Sequence, residues 1–230
     1  GQVEVSGKGS LVFAGAVDAS APFGAAGSLL LDPLTFDIGP NEARVINTTL
    51  RTGTSTTLRA DLDVNVNAMI DGRGGISGGG LTLTAGQDIN VNDFIVTNNG
   101  AVSLDAAGGT VRVAAGKGVF TQSAPISVRT GNNLSTGPMI TTGPLSFTST
   151  GGSVSLDTAI SAATGPVSVN AAGNVSINQP VVNLRNGSSF TANAGGDVMV
   201  NAQVDGRGGS AGGAIDLVAG RSVQLNDFLL

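Results

Sequence analysis

The chain has 230 residues, 36 of them Gly, a formal net charge of -5, and no Cys, His, Trp or Tyr. That inventory excludes disulfide stapling, zinc or haem ligation of the usual kind, a thiol nucleophile and a Ser-His-Asp arrangement within the chain. A pI near 4.5 argues against a nucleic-acid partner, and no apolar run approaches the ~18–20 residues that span a bilayer.

Residues 1–60 carry apolar alternation without a fixed spacing and are expected to form less regular coils. From residue 61 a repeat takes over. Apolar-x-apolar triplets recur at 64–66, 89–91, 111–113, 154–156, 175–177, 198–200 and 223–225, in steps of 25, 22, 43, 21, 23 and 25 residues. The long step is two periods with one degenerate copy, placed near residues 131–134. A second triplet precedes many of the first, at 81–83, 102–104, 145–147, 167–169 and 215–217, and a third short apolar spot follows, as at Val119-Phe120 and Val181-Val182. Alternation of this kind marks half-buried strands, and the Gly pairs between them mark turns. No window sustains an i, i+3, i+4, i+7 pattern, so little helix is expected. Over a longer span, residues 63–96 realign onto 197–230 at an offset of 134, with 18 of 34 positions identical. Both copies hold Asp-Gly-Arg-Gly-Gly and Asn-Asp-Phe.

Three short strands per unit of 21–25 residues fit poorly into a hairpin-built sandwich. Only Asn99-Gly100 and Asn186-Gly187 supply the tight turns that hairpins need. A parallel β-helix uses the period directly, one unit per coil, with equivalent strands stacked. The expectation is therefore an all-β solenoid of about ten coils forming a single domain over residues 1–230, a rod roughly 50 Å long. Aromatics make up only 3%, which suits a narrow interior of stacked aliphatic side chains.

The residue after each first triplet is Asn at five of seven places: Asn67, Asn92, Asn178, Asn201 and Asn226, with Ala114 and Asp157 at the others. Asn tolerates a corner backbone, and its amide both donates and accepts, so these residues are expected to form a structural ladder at one corner. Asp157 fits less well, because a carboxylate cannot donate. The Asp-Gly-Arg-Gly-Gly segments are candidate protruding contact loops, with Asp71, Arg73, Asp205 and Arg207 either touching a ligand or closing a local ion pair on permissive Gly. Asp61 with Asp63, or Asp88 with Asp93, are candidate paired carboxylates for glycoside chemistry, but the general acid-base inventory is thin and no enzyme is expected. Gly74 to Gly80 lacks phosphate-loop spacing, Gly116-Lys117 lacks the following Ser or Thr, and Gly195-Gly196-Asp197 only brushes a calcium repeat. No cofactor and no metal site is expected. An ice-binding face would need outward Thr at one coil position repeatedly, and outward sites that hold Asn, Arg, Ser and Gln argue against it.

Several segments resemble the shaft of filamentous-haemagglutinin-like large exoproteins: residues 1–9 (Gly-Gln-Val-Glu-Val-Ser-Gly-Lys-Gly), Gly15-Ala16-Val17-Asp18 with Ser20-Ala21-Pro22, Leu29-Leu30-Leu31-Asp32-Pro33, and residues 81–92. The likeness covers most of the chain, and the Leu-Leu-Leu-Asp-Pro block is its most specific part. It implies a right-handed parallel β-helix, secreted by an outer-membrane partner transporter of a Gram-negative cell, that works as an adhesin or surface fibre. The implied partners are a glycan or protein on a host or neighbouring cell. The family's amino-terminal secretion domain carries Asn-Pro-Asn motifs, which are absent here, so the chain is expected to correspond to the region beyond that domain. The start at Gly1-Gln2-Val3 and the stop at Phe228-Leu229-Leu230 are expected for a mature product or fragment. Ends of strand sequence without polar caps raise the expectation of end-to-end stacking into filaments. A carbohydrate-binding or polysaccharide-cleaving β-helix is the alternative; it needs three or more carboxylates on one lateral face with Arg112 or Arg129 nearby.

Overall fold

The computed structural model describes residues 2–7, 11, 15, 17–19, 27–161, 164–182, 184, 187–208 and 212–230. Gly1, Lys8, Gly9, Ala16 and Ser20-Ala21-Pro22 of the family-like segments lie outside them, as do Asn186 of one Asn-Gly turn and Gly209 of the second Asp-Gly-Arg loop.

Alternating side chains dictate the architecture. In strands of the type Leu81–Ala85 and Val102–Ala106 every second residue is buried and the others face outward. One such strand cannot cover its own apolar face, so the chain turns and lays the next equivalent strand beside it, in parallel and in register. Leu81, Val102, Ile126, Leu145, Val167, Phe190 and Ile215 thereby form one column. Ten strands stack this way into one long sheet: Gln2–Gly7, Ser28–Pro33, Ser55–Ala60, Leu81–Ala85, Val102–Ala106, Ile126–Thr130, Leu145–Ser149, Val167–Ala171, Phe190–Ala194 and Ile215–Ala219.

The first triplets of the sequence make the second face. It is divided into a four-stranded sheet (Phe36–Ile38, Val64–Val66, Ile89–Val91, Val111–Val113) and a five-stranded one (Leu134–Ser135, Val154–Leu156, Val175–Ile177, Val198–Val200, Val223–Leu225). The third face is likewise divided, into Ile70–Asp71, Ile95–Val96, Val119–Phe120 and Met139–Ile140, then Ile160–Ser161 and Val181–Val182. Single bridges continue the latter through Val204 to Leu229.

The parallel β-helix agrees with the expectation from the period, with about eight turns rather than ten. Ahead of the regular coils, Gln2–Gly7 and Ser28–Pro33 add two further strands to the long sheet. One coil is also shorter than the expected 21 residues. The step from Ile126 to its register partner Leu145 is 19 residues, and this coil contains the degenerate copy, Leu134–Ser135.

A helix, Pro40–Arg51, replaces the third-face strand of the coil that begins at Phe36. Pro40 starts it with a preset φ, Glu42 and Arg51 suit the two ends of its dipole, and Gly53 at φ +81 ends it. Ala43, Ile46 and Leu50 join the common core. Asn47 then completes the stack above: its Oδ1 accepts from the Asp71 amide at 2.6 Å, and its Nδ2 reaches the Met69 carbonyl at 3.5 Å. These two backbone groups flank Ile70, so one side-chain amide stands where a strand's peptide bond would be. Among the described residues the core is mainly aliphatic, with Phe36, Phe147 and Phe190 fully buried in it and Thr49, Thr56 and Thr130 also buried.

On the outer side of the long sheet, Thr57, Thr82, Ser103, Ser127, Ser146, Ser168 and Thr191 share one column. This hydroxyl column is more regular than the sequence suggested. The adjacent column holds Arg59, Asp105 and Arg129, so the face is not the uniform Thr surface that ice binding needs.

Candidate functional site

The corner after the second face holds the expected asparagines, in two separate runs. Asn92 Nδ2 donates to Asn67 Oδ1 at 2.9 Å. Higher up, Asn226 donates to Asn201 at 2.8 Å, Asn201 to Asn178 at 2.9 Å, and Asn178 to Asp157 Oδ1 at 2.9 Å. Asp157 thus fits as the terminal acceptor of the upper run, also receiving the Ser135 and Ser155 hydroxyls. Burial works against its charged form, but the hydrogen bonds from Asn178, Ser135 and Ser155 prevail and hold its pKa below the usual carboxylate value. Ala114 and Gly137 occupy the corner between the runs.

A second ladder, at the corner before the second face, was not foreseen. Asp63 Oδ1 accepts from the Asp88 amide, and Asp88 Oδ1 from that of Thr110. In the upper coils Asn133, Ser153, Asn174 and Asp197 each accept from the equivalent amide one coil higher. These positions vary among Asp, Thr, Asn and Ser, so no single residue type marks them. The signal is that the residue before each triplet always carries a side-chain oxygen.

Three of the four acidic side chains proposed for glycoside chemistry, Asp63, Asp88 and Asp93, bond to the next coil. Asp63 serves the ladder, while Asp61 is exposed at a turn. Asp88 is bound by Arg112, and Asp93 by Lys117 at 2.7 Å. Burial opposes charge on Asp88, but the Arg112 guanidinium and the Thr110 amide outweigh it and lower the pKa. Lys117 does the same for Asp93. Lys117 Nζ also lies 4.7 Å from the centre of the Phe94 ring, whose centroid is 5.8 Å from that of Phe120. Asp105 pairs with Arg129 at 3.1 Å and Asp197 with Arg221 at 2.8 Å. Among the described residues, no three acidic side chains converge closely enough to hold a metal ion.

Both Asp-Gly-Arg loops close on themselves in the same way. Asp71 Oδ1 accepts from the Arg73 amide at 3.0 Å and from its Nε at 2.8 Å, while Oδ2 accepts from Nη2 at 3.0 Å. Asp205 takes the same three bonds from Arg207 at 2.9, 3.0 and 2.9 Å. The forked contact with Arg207 lowers the Asp205 pKa to about 2, and that with Arg73 lowers the Asp71 pKa. The first loop protrudes at residues 73–78 but is seated on the end of the helix: the Ile76 amide donates to the Arg51 carbonyl at 2.7 Å. A Cβ on Gly75 or Gly79 would overlap the carbonyl oxygen of Arg51 or Leu50.

An open cleft of about 670 Å³ lies where the second face is divided, lined by Thr110, Val111, Arg112, Val113, Asn132, Asn133 and Ser135. Its longer polar side chains are already engaged: Arg112 with Asp88, Asn132 with the Gly108 carbonyl, Asn133 with the Ser153 amide, and Ser135 with Asp157. No helix among the described residues is long and apolar enough to cross a membrane. Compared with known protein families, characterised proteins and solved structures, the chain matches none.

Proposed function

We propose that this chain is a stretch of non-enzymatic shaft in a secreted adhesin or surface fibre of the filamentous-haemagglutinin-like kind, exported through an outer-membrane partner transporter. The observation that supports this reading best is where the outward polar groups go. Asn, Asp, Arg and Lys side chains on the lateral faces bind the next coil, through two corner ladders and four coil-to-coil ion pairs among the described residues. Such bonds favour axial continuity over a reactive cleft, and the absence of Cys suits export through a pore in an unfolded state. The resemblance carried by Leu29-Leu30-Leu31-Asp32-Pro33 adds the family.

Assembly into filaments belongs to the same proposal. Sedimentation over a concentration series tests whether copies associate end to end.

The test of the shaft reading pairs a binding assay with a hydrolysis assay. Beads coated with the chain are expected to adhere to host or neighbouring cells, and the chain is expected to release no reducing sugar from polysaccharides. Sugar release would replace this reading with the polysaccharide-cleaving alternative, and beads that adhere no better than uncoated ones would remove adhesion from it.

A further inference from the structure

Four irregularities fall at one level of the rod. The second-face ladder stops between Val111–Val113 and Leu134–Ser135. The ladder of side-chain oxygens stops there too, between Thr110 and Asn133, although it runs below through Asp88 and above through Ser153. The asparagine ladder lacks its rungs at Ala114 and Gly137. Finally, Val113 is only half-buried, packed against the edge of the core, whereas Val66, Val91, Leu156, Ile177 and Val200, its counterparts in other coils, are completely buried. Its side chain sits where a Cβ on Gly137 would lie. The amides of Val64, Ile89, Val154, Val175 and Val198 each donate to the coil above, and that of Val111 has no such bond among the described residues.

One coil higher, the third face is also divided, between Met139–Ile140 and Ile160–Ser161. The short coil of residues 126–144 therefore holds to the coil below through the long sheet and the third face, and to the coil above through the long sheet and the second face. Both corners next to the long sheet stay closed: the Asn132 amide donates to the Gly109 carbonyl at 3.0 Å, and that of Thr164 to Thr142 at 2.9 Å.

We propose that the coil of residues 126–144 is a built-in joint at which the rod bends. The long sheet is its unbroken spine. The lower half of the joint opens at the second face and the upper half at the third, so both bend the rod toward the long-sheet side, which becomes concave. A sheet with all ladder bonds intact resists bending because each rung must break together with its neighbours. Here each level of the joint has given up the backbone rungs of one face, and what remains beside the opening is side-chain packing and a few side-chain bonds, such as Thr158 Oγ1 to the Gly137 carbonyl and Asn132 Nδ2 to the Gly108 carbonyl. The engaged side chains of the cleft favour this role over ligand binding.

Because the chain lacks Cys, paired spin labels can be placed without background. Asn65→Cys with Met199→Cys spans the joint on the second face, and Thr57→Cys with Thr191→Cys spans the same six rungs on the long sheet, each roughly 29 Å apart by stacking distance. The second-face pair is expected to give the broader distance distribution, and the long-sheet pair a narrow one. Equal widths would overturn the joint. Hydrogen exchange on the unsubstituted chain gives an independent reading: the Val111 and Gly137 amides are expected to exchange about tenfold or more faster than those of Val64 and Val175. Equal protection at these four amides would also overturn it.

Discussion

Asp157 illustrates how one residue is given its place by what it cannot do. A carboxylate accepts but does not donate, and the lowest position of the upper asparagine run needs only acceptors, because Asn178, Ser135 and Ser155 all donate to it. Asn178→Asp removes the donor and sets a second carboxylate against the first. The variant is expected to be less stable than the parent at pH 7 and to regain stability as pH falls toward about 4, where one of the facing carboxylates takes up a proton. Denaturant titrations at the two pH values check this sign, since the parent is expected to hold its stability over the same interval. Thr56 is a different case. It lies in the column of Leu29 and Leu81, it is buried, and its hydroxyl has no hydrogen-bond partner. Thr56→Val keeps the shape and removes the unmet polar group, so it is expected to raise unfolding stability by about 1 kcal/mol; the shift in denaturant midpoint measures it.

At the scale of elements, the first Asp-Gly-Arg loop is held in two ways, by its own ion pair and by its seat on the helix end. The Gly residues of the first loop let its backbone pass over the last turn of the helix at Leu50 and Arg51. Gly75→Ala is expected to destabilise the fold by about 2 kcal/mol, because either the loop or the helix end must move. Arg73→Ala removes only an exposed fork and is expected to change the unfolding midpoint little. Thermal unfolding of the two variants separates them, and equal effects would mean that the loop is not held by its seat on the helix. The helix was itself hidden in the sequence. Ala43, Ile46 and Leu50 make a narrow stripe over only three turns, flanked by the β-branched Val45, Thr48 and Thr49, which read equally well as strand. Its better markers are at the ends: Pro40, Glu42, Arg51 and Gly53.

At the scale of the whole molecule, five carboxylates among the described residues have pKa values below their ordinary range, four of them through basic partners (Asp71, Asp88, Asp93 and Asp205) and Asp157 through hydroxyl and amide donors. A group whose pKa is depressed on folding stabilises above its unfolded value, near 4, and that contribution is lost as pH falls through the folded value. The rod is therefore expected to keep its stability from neutral pH down to about 4 and to lose it progressively toward about 2, which circular dichroism on acid titration measures. The solenoid itself was legible because Val64, Ile89, Val175, Val198 and Val223 repeat an alternation that only stacking can bury. The oxygen ladder was not, because Asp63, Asp88, Asn133, Ser153 and Asn174 share an acceptor rather than an identity. The short coil was visible only as a missing copy, since Thr136 and Gly137 stand where the other regular coils have an apolar residue followed, except at Ala114, by Asn or Asp.

The amide of Asn47 carries a final consequence. A parallel stack leaves a row of open peptide groups at each end of each face, and such a row recruits any passing strand, from the same protein or another. On the third face the helix blocks that row below Ile70–Asp71, and Asn47 occupies the two groups that an incoming strand would bond first. At Ile70–Asp71 that edge is thereby closed to adventitious pairing, and a single side-chain amide on a helix does the work of a neighbouring strand.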